Sequence, residues 1–386
     1  MKNAITYLKE YQRNGGQVAI YCAGRHGILF SEILQMCGIQ INGFFDNNPE
    51  KWDIEISTRI CCRNPNRIKD KKSYIILVCI DPRYYTQVKK EVLEAGYENI
   101  MEFSDILDDV ILNYQSVYLE LIRLYQNRSA AELFYTPSIN RQTFPEVVNV
   151  LGKKDRIAVY TGIFGDYDSI CEPAVLPLNV DYFIVSDINP KKKSPYIWID
   201  AGKIIPASLI SPVKRNRYIK MHPHILFPEY KYSIYLDGNI RIQEDITSFV
   251  KENPSGISVF LHPKRDCIFY EAVTITNFHR VVAKDVCKQM KRYLDEGMPI
   301  HYGMPEMPVI AREHNKPSCI RVMEDWWIEF NKGALRDQLS FMYAMWKNQM
   351  TLQDLSSLGE DVRQDNRLRF HAHNYESRML SNKLTN

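Results

Sequence analysis

"YSIYLDGNI", residues 232–240, is the stretch whose reading decides the fold of this chain. Tyr232 to Leu236 is a short apolar and aromatic run that does not alternate, the pattern of a strand covered on both faces. Asp237-Gly238-Asn239 then stops it. Asp-Gly between apolar runs is a two-residue hairpin signal, so "IYLDGNIRI" reads as a hairpin on one interpretation. On the other, Asp237 stands beyond the carboxyl end of a central strand, where open α/β sheets bind ligands. A carboxylate and an amide oxygen two residues later suit a hard cation, Mg²⁺ or Mn²⁺, bridging a diphosphate.

The whole chain sets the frame around this strand. Its 386 residues exceed what one core usually supports, so two domains are expected. Forty-nine Lys and Arg against 46 Asp and Glu leave a net charge of +3, which gives no polyelectrolyte signal for nucleic acid. The opening "MKNAITYLKEYQRNGG" reads as an amphipathic helix rather than a signal peptide, and no apolar run reaches the roughly 20 residues of a membrane span. The nine cysteines include adjacent Cys61 and Cys62 but no CxxC, which fits reduced thiols. The expectation is a cytoplasmic protein, with peripheral association at the inner face of a membrane left open.

Strand-like and helix-like segments alternate from the start: QVAIYC at 17–22, a helix from His26 to Cys37, INGFFD, YIILVCI at 74–80, a helix through YYTQVKKEVLEAG, and ENIMEF. Such alternation predicts a parallel sheet. The expected organisation is a Rossmann-like domain over 1–103, a helical linker over 104–154 built on the pattern from Ser104 to Asn127, and a second α/β domain over 155–386. In the second domain strands are expected at 156–161, 181–186, 232–236 and 257–261, with a late helix over "ALRDQLSFMYAMWKNQ".

The first domain carries part of a dinucleotide fingerprint. Gly24 and Gly27 match its second and third glycines, Cys22 stands where the first belongs, and Asp46 ends the second strand where an acid can accept from ribose hydroxyls. The favoured reading is a domain that keeps the fold without binding NAD, its glycines serving the turn and the packing. "FFDNNP", from Phe44 to Pro49, resembles the small Rossmann-like modules attached to bacterial sugar-modifying enzymes.

Candidate chemistry concentrates in the second domain. "KRNRYIKMHPHILFPEYKY" brings Lys214, Arg215, Arg217, Lys220, His222 and His224 before the Asp237 strand, and cations there can neutralise a nucleotide diphosphate. Lys214 and Arg215 read as a solvated face, Lys220 and His222 as functional candidates. "RFHAHN" places His371 and His373 two apart, and either one is a candidate third metal ligand. "EDWWIEFNKGALRDQLSF" joins Trp326 and Trp327 to Asp325, Glu329 and the Asp337-Gln338 pair, with carboxylates able to bind sugar hydroxyls or accept a proton. Tryptophans are more often core than platform, and the stronger candidate is Asp337-Gln338.

Taken in order, "AVYTGIFGDYD", "YFIVSD", "RYIKMHPHILFPEYKYSIYLDGNI", "FLHPKRDCIFYEA", "QMKRYLDEGMP", "PVIAREHN" and "WWIEFNKGALRDQLSFMYAMWK" resemble the glycosyltransferase-like domain family of plant mucilage-related proteins and their bacterial relatives, over roughly residues 155–375. The resemblance implies a GT-A-like fold and transfer of a sugar from a nucleotide donor, a UDP-sugar first among the candidates, to a glycan, lipid-linked or other hydroxyl acceptor in bacterial surface polysaccharide synthesis. It assigns Asp237 and Asn239 to the metal and diphosphate, in the place of a DxD motif whose second acid is here an amide. It sets Asp337 and Gln338 near donor sugar and acceptor, and Thr161, Gly162, Phe164 and Asp187 around the nucleoside. For an inverting reaction the base would come from Asp325, Glu329, Asp337 or Glu306. A retaining reaction, favoured by analogy, needs no strong protein base. The rivals are a sugar-phosphate nucleotidyltransferase, which would carry a basic glycine-rich loop where "TGIFGDYDSICEP" has acids, and a non-catalytic nucleotide-sugar sensor.

Overall fold

The computed structural model describes residues 3–57, 60–80, 84–126, 155–165, 168–189, 194–277 and 281–372. The chain divides into two compact units, one of the described residues within Met1–Ile139 together with Phe269–Ile300, the other of those within Asn140–Ile268 together with His301–Asn386.

In the first unit the elements run α1 (Ala4–Arg13), β1 (Gln17–Tyr21), α2 (Arg25–Met36), β2 (Gly43–Phe45), β3 (Glu55–Ser57), β4 (Ile60–Arg63), β5 (Tyr74–Val78), α3 (Tyr85–Glu94), β6 (Asn99–Glu102), α4 (Phe103–Asn113) and α5 (Gln115–Gln126). The sheet order is β3-β4-β2-β1-β5-β6, parallel throughout except that β3 runs antiparallel to β4 at the edge. Val18 to Tyr21 and all of β5 are buried, as central parallel strands must be. The helical pattern after Ser104 is two helices rather than one, with the break at Tyr114, whose φ of −129° and ψ of 51° leave the helical region. α4 and α5 pack inside this unit, where Tyr118 donates to Phe269 O at 2.8 Å and Tyr270 to Asp108 Oδ1 at 2.6 Å. The rest of the expected 104–154 segment lies outside the described residues.

The second unit starts with β7 (Ile157–Ile163), β8 (Val180–Ser186), β9 (Ile197–Asp200), α6 (Ala201–Ile204), α7 (Pro212–Met221), α8 (Pro223–Leu226), β10 (Tyr232–Leu236), β11 (Ile240–Ile242) and β12 (Ile257–Leu261). Next in the chain come α9 (Ile268–Asn277) and α10 (Ala283–Asp295), which fall almost wholly within the Phe269–Ile300 segment of the first unit. β13 (Pro305–Arg312), α11 (Pro317–Lys332), α12 (Gln338–Lys347), β14 (Ser356–Gly359) and β15 (Leu368–Phe370) complete the second unit. Its sheet order is β14-β12-β13-β10-β7-β8-β9, with β13 antiparallel to both neighbours and every other pair parallel. The protein therefore has the α/β class expected from its sequence, a Rossmann-like parallel sheet followed by a mixed, GT-A-like α/β sheet.

β10 settles the question its sequence raised. All five of its residues are buried. Tyr232, Ile234 and Leu236 pack with Ile157, Val159 and Val309 on one face, while Tyr235 joins Tyr160, Phe183 and Phe227 on the other. The turn after it is real, since Ile240 N donates to Asp237 O at 3.1 Å, but no hairpin follows. β11 leaves the main sheet and pairs antiparallel with β15, Ile240 opposite Phe370. A strand already flanked by β7 and β13 has no free edge for a hairpin partner.

Candidate active site

The site forms where β10 ends, because a helix is drawn tightly against β7 beside it. A β-carbon on Gly162 would come within 2.1 Å of Ile219 Cδ1, so glycine there leaves room for the Ile219 side chain of α7 to pack closely on β7. Asn216 Nδ2 donates to Gly162 O at 3.0 Å and fixes the register. At the end of α7, Arg312 NH1 donates to Lys220 O at 2.6 Å, and its NH2 donates to Tyr160 Oη at 2.6 Å. Tyr160 in turn donates to Ile219 O at 3.1 Å. A buried cation thus satisfies the last carbonyls of α7, where positive charge also complements the helix dipole.

Held this way, α7 turns Arg217 and Lys220, three residues apart and so on one face, toward two carboxylates. Lys220 Nζ donates to Asp337 Oδ2 at 2.7 Å and stands 3.9 Å from Asp237 Oδ1, and Arg217 Nε is 2.9 Å from Asp337 Oδ2. Tyr235 donates to Asp237 Oδ1 at 2.9 Å. Asp337 is placed by α11 and α12: Trp326 Nε1 donates to its carbonyl at 2.8 Å and Ser340 Oγ at 3.1 Å.

Burial dominates the electrostatics. It would raise the Asp337 carboxyl, yet Arg217, Lys220 and Arg336 beside it hold it well below the usual carboxylate range. Lys220 is pushed down by burial, against the pull of Asp337 and Asp237. Arg217 stays charged because the same carboxylates outweigh its burial. Asp337 is therefore a fixed anion and a poor proton acceptor. Glu306 is also paired with a cation, since Arg363 NH1 donates to both of its oxygens at 2.9 and 2.7 Å. Gln338 stands next to it, with Nε2 3.5 Å from Pro305 O and Oε1 accepting from Arg336 NH2 at 3.1 Å.

Beside Asp237 lies a cleft of about 920 Å³, lined among others by Asp168, Ser186, Asp187, Asn239, Arg241 and His371. Asp187 of the cleft wall is ion-paired to Arg215, whose side chain is largely covered rather than on a solvated face. Thr161 and Phe164 are buried behind that wall, with Gly162 on the same strand. Phe164 packs on Val185 and Ile219 and supports the cleft without lining it. Asn239 Nδ2 donates to His371 O at 2.9 Å and His371 N donates to Asn239 O at 2.9 Å, which ties β15 to the cleft. His373 lies outside the described residues.

Two expected residues stand elsewhere. Asp325 accepts from Asn348 Nδ2 at 2.7 Å, at the far end of α12 from Asp337, about 16 Å away at 1.5 Å per residue. An acid on α11 next in sequence to Trp326 points the other way around the helix. His222 Nδ1 donates to Tyr218 O at 2.7 Å, and its ring stacks on Tyr218 at 4.2 Å and edges Trp327 at 5.4 Å. It braces α7 against α11. Asn216, Tyr235 and Asp168 were not singled out from sequence, although Asp168 is one of the acids after β7, while Arg217 was named only within the run of cations that also holds Lys220.

A divalent cation was expected at Asp237. Among the described residues no three His, Cys, Asp or Glu groups come together to hold a metal. What is present suits an open site: Asp237 is one-third exposed, and Asp168 stands beside Gly238, its Oδ2 3.2 Å from where a β-carbon there would be. Mg²⁺ commonly binds through one or two carboxylates plus substrate phosphates and water, and this donor set fits that pattern.

With the geometry in place, comparison with known proteins locates the chain. The family described as TOD1/MUCI70, glycosyltransferase-like domain, matches residues 207–367, which takes in Lys220, Asp237, Glu306 and Asp337. The family resembled in sequence is the family that matches. The chain is also 27% identical over 145 residues to a protein of Arabidopsis thaliana named "Probable hexosyltransferase MUCI70", covering 33% of this chain and 24% of the plant protein. The match thus spans about a quarter of that relative. Among solved structures, the apo WbbM bifunctional glycosyltransferase aligns at 12% identity and TM-score 0.34 over 72% of this chain and 51% of that one. Mouse xyloside xylosyltransferase 1 in its apo form aligns at 11% identity and TM-score 0.32 over 53% and 84%. Among the described residues no helix is long and apolar enough to cross a membrane.

Proposed function

We propose that this protein is a glycosyltransferase that moves a hexosyl or uronosyl group from a nucleotide sugar, a UDP-sugar first among candidates, to a hydroxyl of a glycan or lipid-linked acceptor. The setting we propose is surface polysaccharide synthesis at the inner face of a bacterial membrane. The observation that carries the reading is the cluster of buried Lys220 and Asp337 with the partly exposed Arg217 and Asp237 at the carboxyl end of β10, beside a nucleotide-sized cleft.

In this reading the nucleoside lies against Ser186 and Asp187, and its diphosphate reaches Asp237. When the anomeric bond breaks, negative charge grows on the leaving diphosphate, and preorganised cations there stabilise it without rearranging. Lys220 and Arg217 are held for that task. Mg²⁺ or Mn²⁺, held by Asp237 with Asn239 Oδ1 and Asp168, would supply Lewis-acid stabilisation of the same oxygens. Asp337, held anionic by the cations around it, is a weak base, and Glu306 is engaged by Arg363. The acceptor hydroxyl attacks the anomeric carbon and its proton passes to the departing phosphate oxygen, which favours retention of configuration. Asp337 and Gln338 then position sugar hydroxyls.

A thermal-shift panel of UDP-, GDP-, CMP- and dTDP-sugars with and without Mn²⁺, followed by donor hydrolysis assays, tests the proposal. At least one donor should raise the melting temperature, and Asp237→Ala should abolish the shift. No shift from any donor, or turnover unchanged in Asp237→Ala, would sink it.

A further inference from the structure

The first unit has a crevice of its own, at the carboxyl ends of its central strands. β1 lies between β2 and β5; the chain leaves β1 through α2 toward β2 on one side, and leaves β5 through α3 toward β6 on the other. Open α/β sheets bind ligands where the strand order reverses in this way. A cavity of about 510 Å³ opens at that point, inside the roughly 300–1,000 Å³ range of small-molecule sites. Gly27 serves packing beside it, since a β-carbon there would come within 2.4 Å of Cys22 O. Gly24, which lines the crevice, serves neither turn nor packing. Its φ of −110° and ψ of −174° suit any residue, and a β-carbon on it would meet nothing within 4 Å. Glycine at 24 therefore leaves open space at the crevice.

Two acids line the crevice, and they differ in what they already hold. The Asp46 carboxylate accepts from Ala23 N, Asn48 N and Lys51 Nζ, all donors of the chain itself. Glu91 on α3 accepts one bond on each oxygen, from Asn47 Nδ2 at 2.8 Å and Gln87 Nε2 at 3.1 Å. A carboxylate offers about four lone-pair sites, so Glu91 has capacity for further donors. Tyr21 Oη donates to Asn47 Oδ1 at 2.7 Å, which makes Tyr21, Asn47 and Glu91 one chain of hydrogen bonds across β1, the end of β2 and α3. Apolar groups complete the lining, with Cys22, Cys79, Ile80 and Val88 beside the ring of Tyr84. Burial pushes up both thiols, Cys22 to about 12, so this part of the wall is neutral.

We propose that this crevice binds a nucleoside, its ribose hydroxyls donating to Glu91 and its base lying on Ile80, Tyr84 and Val88. A ring bearing adjacent hydroxyls matches an accepting carboxylate next to an apolar wall. Glu91 takes the part that the sequence offers to Asp46. The adenosine half of NAD would instead need the Asp46 carboxylate, which the chain's own donors occupy. Arg25 and Lys51 also line the crevice, so a 5′-phosphate on the nucleoside would meet positive charge. The site belongs to the first unit and does not depend on sugar transfer in the second.

The test is calorimetric titration of the full chain with adenosine, uridine and their 5′-monophosphates. At least one should bind, and tighter binding of the monophosphate would mark the ligand as a nucleotide, equal binding as the bare nucleoside. The 2′,3′-dideoxy form of the one that binds should be roughly tenfold weaker, the loss expected for hydrogen bonds to a charged group. Glu91→Ala should bring the two forms to the same affinity. Gly24→Val should abolish binding yet keep the melting temperature, because the backbone at 24 suits any residue. Asp237→Ala, in the second unit, should leave this binding in place, which separates it from the donor cleft. No binding of any of the four, binding that survives Gly24→Val, or a dideoxy form that binds the unaltered protein equally well would overturn the proposal. That failure leaves the donor reading standing, and a failed donor panel leaves this result standing.

Discussion

Lys220 Nζ donates to Asp337 Oδ2 at 2.7 Å, between side chains that are 2% and 5% exposed. Taking two charges out of water is costly, and their attraction offsets this only while both are present. Lys220→Met should therefore destabilise the second unit by about 3–5 kcal/mol. Lys220→Met combined with Asp337→Leu should recover a large part of that loss, while donor turnover stays abolished in both. Urea denaturation of the four proteins of this cycle checks it; strictly additive losses would show that the pair is not coupled.

Gly162 sets the depth of α7. A methyl group at that position, 2.1 Å from Ile219 Cδ1, makes the Ile219 side chain or the helix that carries it shift. Gly162→Ala should cost about 1–3 kcal/mol, the range for overpacking. The larger effect should be on ligand binding, since Arg217 and Lys220 ride on the same helix. A Gly162→Ala protein with normal donor affinity would show that α7 does not position the cations.

Three buried histidines and the partly buried His224 give stability a pH dependence of known sign. Burial lowers His222, His224, His262 and His314, the last to about 4, and His314 Nε2 pairs with Phe227 O at 2.9 Å. Each stays neutral in the folded chain but takes a proton near pH 6.5 once unfolded. Stability from this source is complete above pH 6.5 and is lost as pH falls from there toward the lowered values. Each histidine contributes a slope of up to about 1.4 kcal/mol per pH unit. Denaturation midpoints between pH 7.5 and 4.5 should fall accordingly. The fall should be shallower in His314→Gln, and a flat profile would contradict the burial of these rings.

How much of this was legible in the sequence follows from what each signal depends on. β10 was readable because a strand buried on both faces writes its burial directly as an unbroken apolar run. The missing hairpin was not readable: Asp-Gly encodes the turn, while β7, β13 and β15 decide what β11 pairs with. Lys220 was singled out as a cation close to the Pro-flanked HPH and Asp337 as a polar group interrupting an apolar helix, but their 2.7 Å contact joins residues 117 apart in sequence. Asp325 failed for the opposite reason, since neighbours on a helix point in different directions and its acid serves the end of α12. In the first unit, in a domain read as keeping the fold without binding NAD, Asp46 stands where an incomplete fingerprint would place a ribose-binding acid. Its oxygens accept from Ala23 N, Asn48 N and Lys51 Nζ at 2.7 to 2.9 Å. Cys22, at the first glycine's place, takes the left-handed φ of 82° that glycine would adopt freely.

Metal binding should depend on the substrate. Asp237 faces solvent on one side but has the Lys220 ammonium 3.9 Å from Oδ1, which repels a second cation. Asn239 lacks the charge of an acid and already commits its amide nitrogen to His371 O. Mn²⁺ alone should therefore bind only in the millimolar range, whereas UDP, by adding phosphate oxygens to Asp237, should tighten it by at least about tenfold. Asp237→Asn should remove that gain, and Asn239→Asp should strengthen binding of Mn²⁺ in the absence of UDP. The free-Mn²⁺ signal in electron paramagnetic resonance titrations reads all four cases. Micromolar Mn²⁺ binding without nucleotide would mean that further ligands complete the site before the donor arrives.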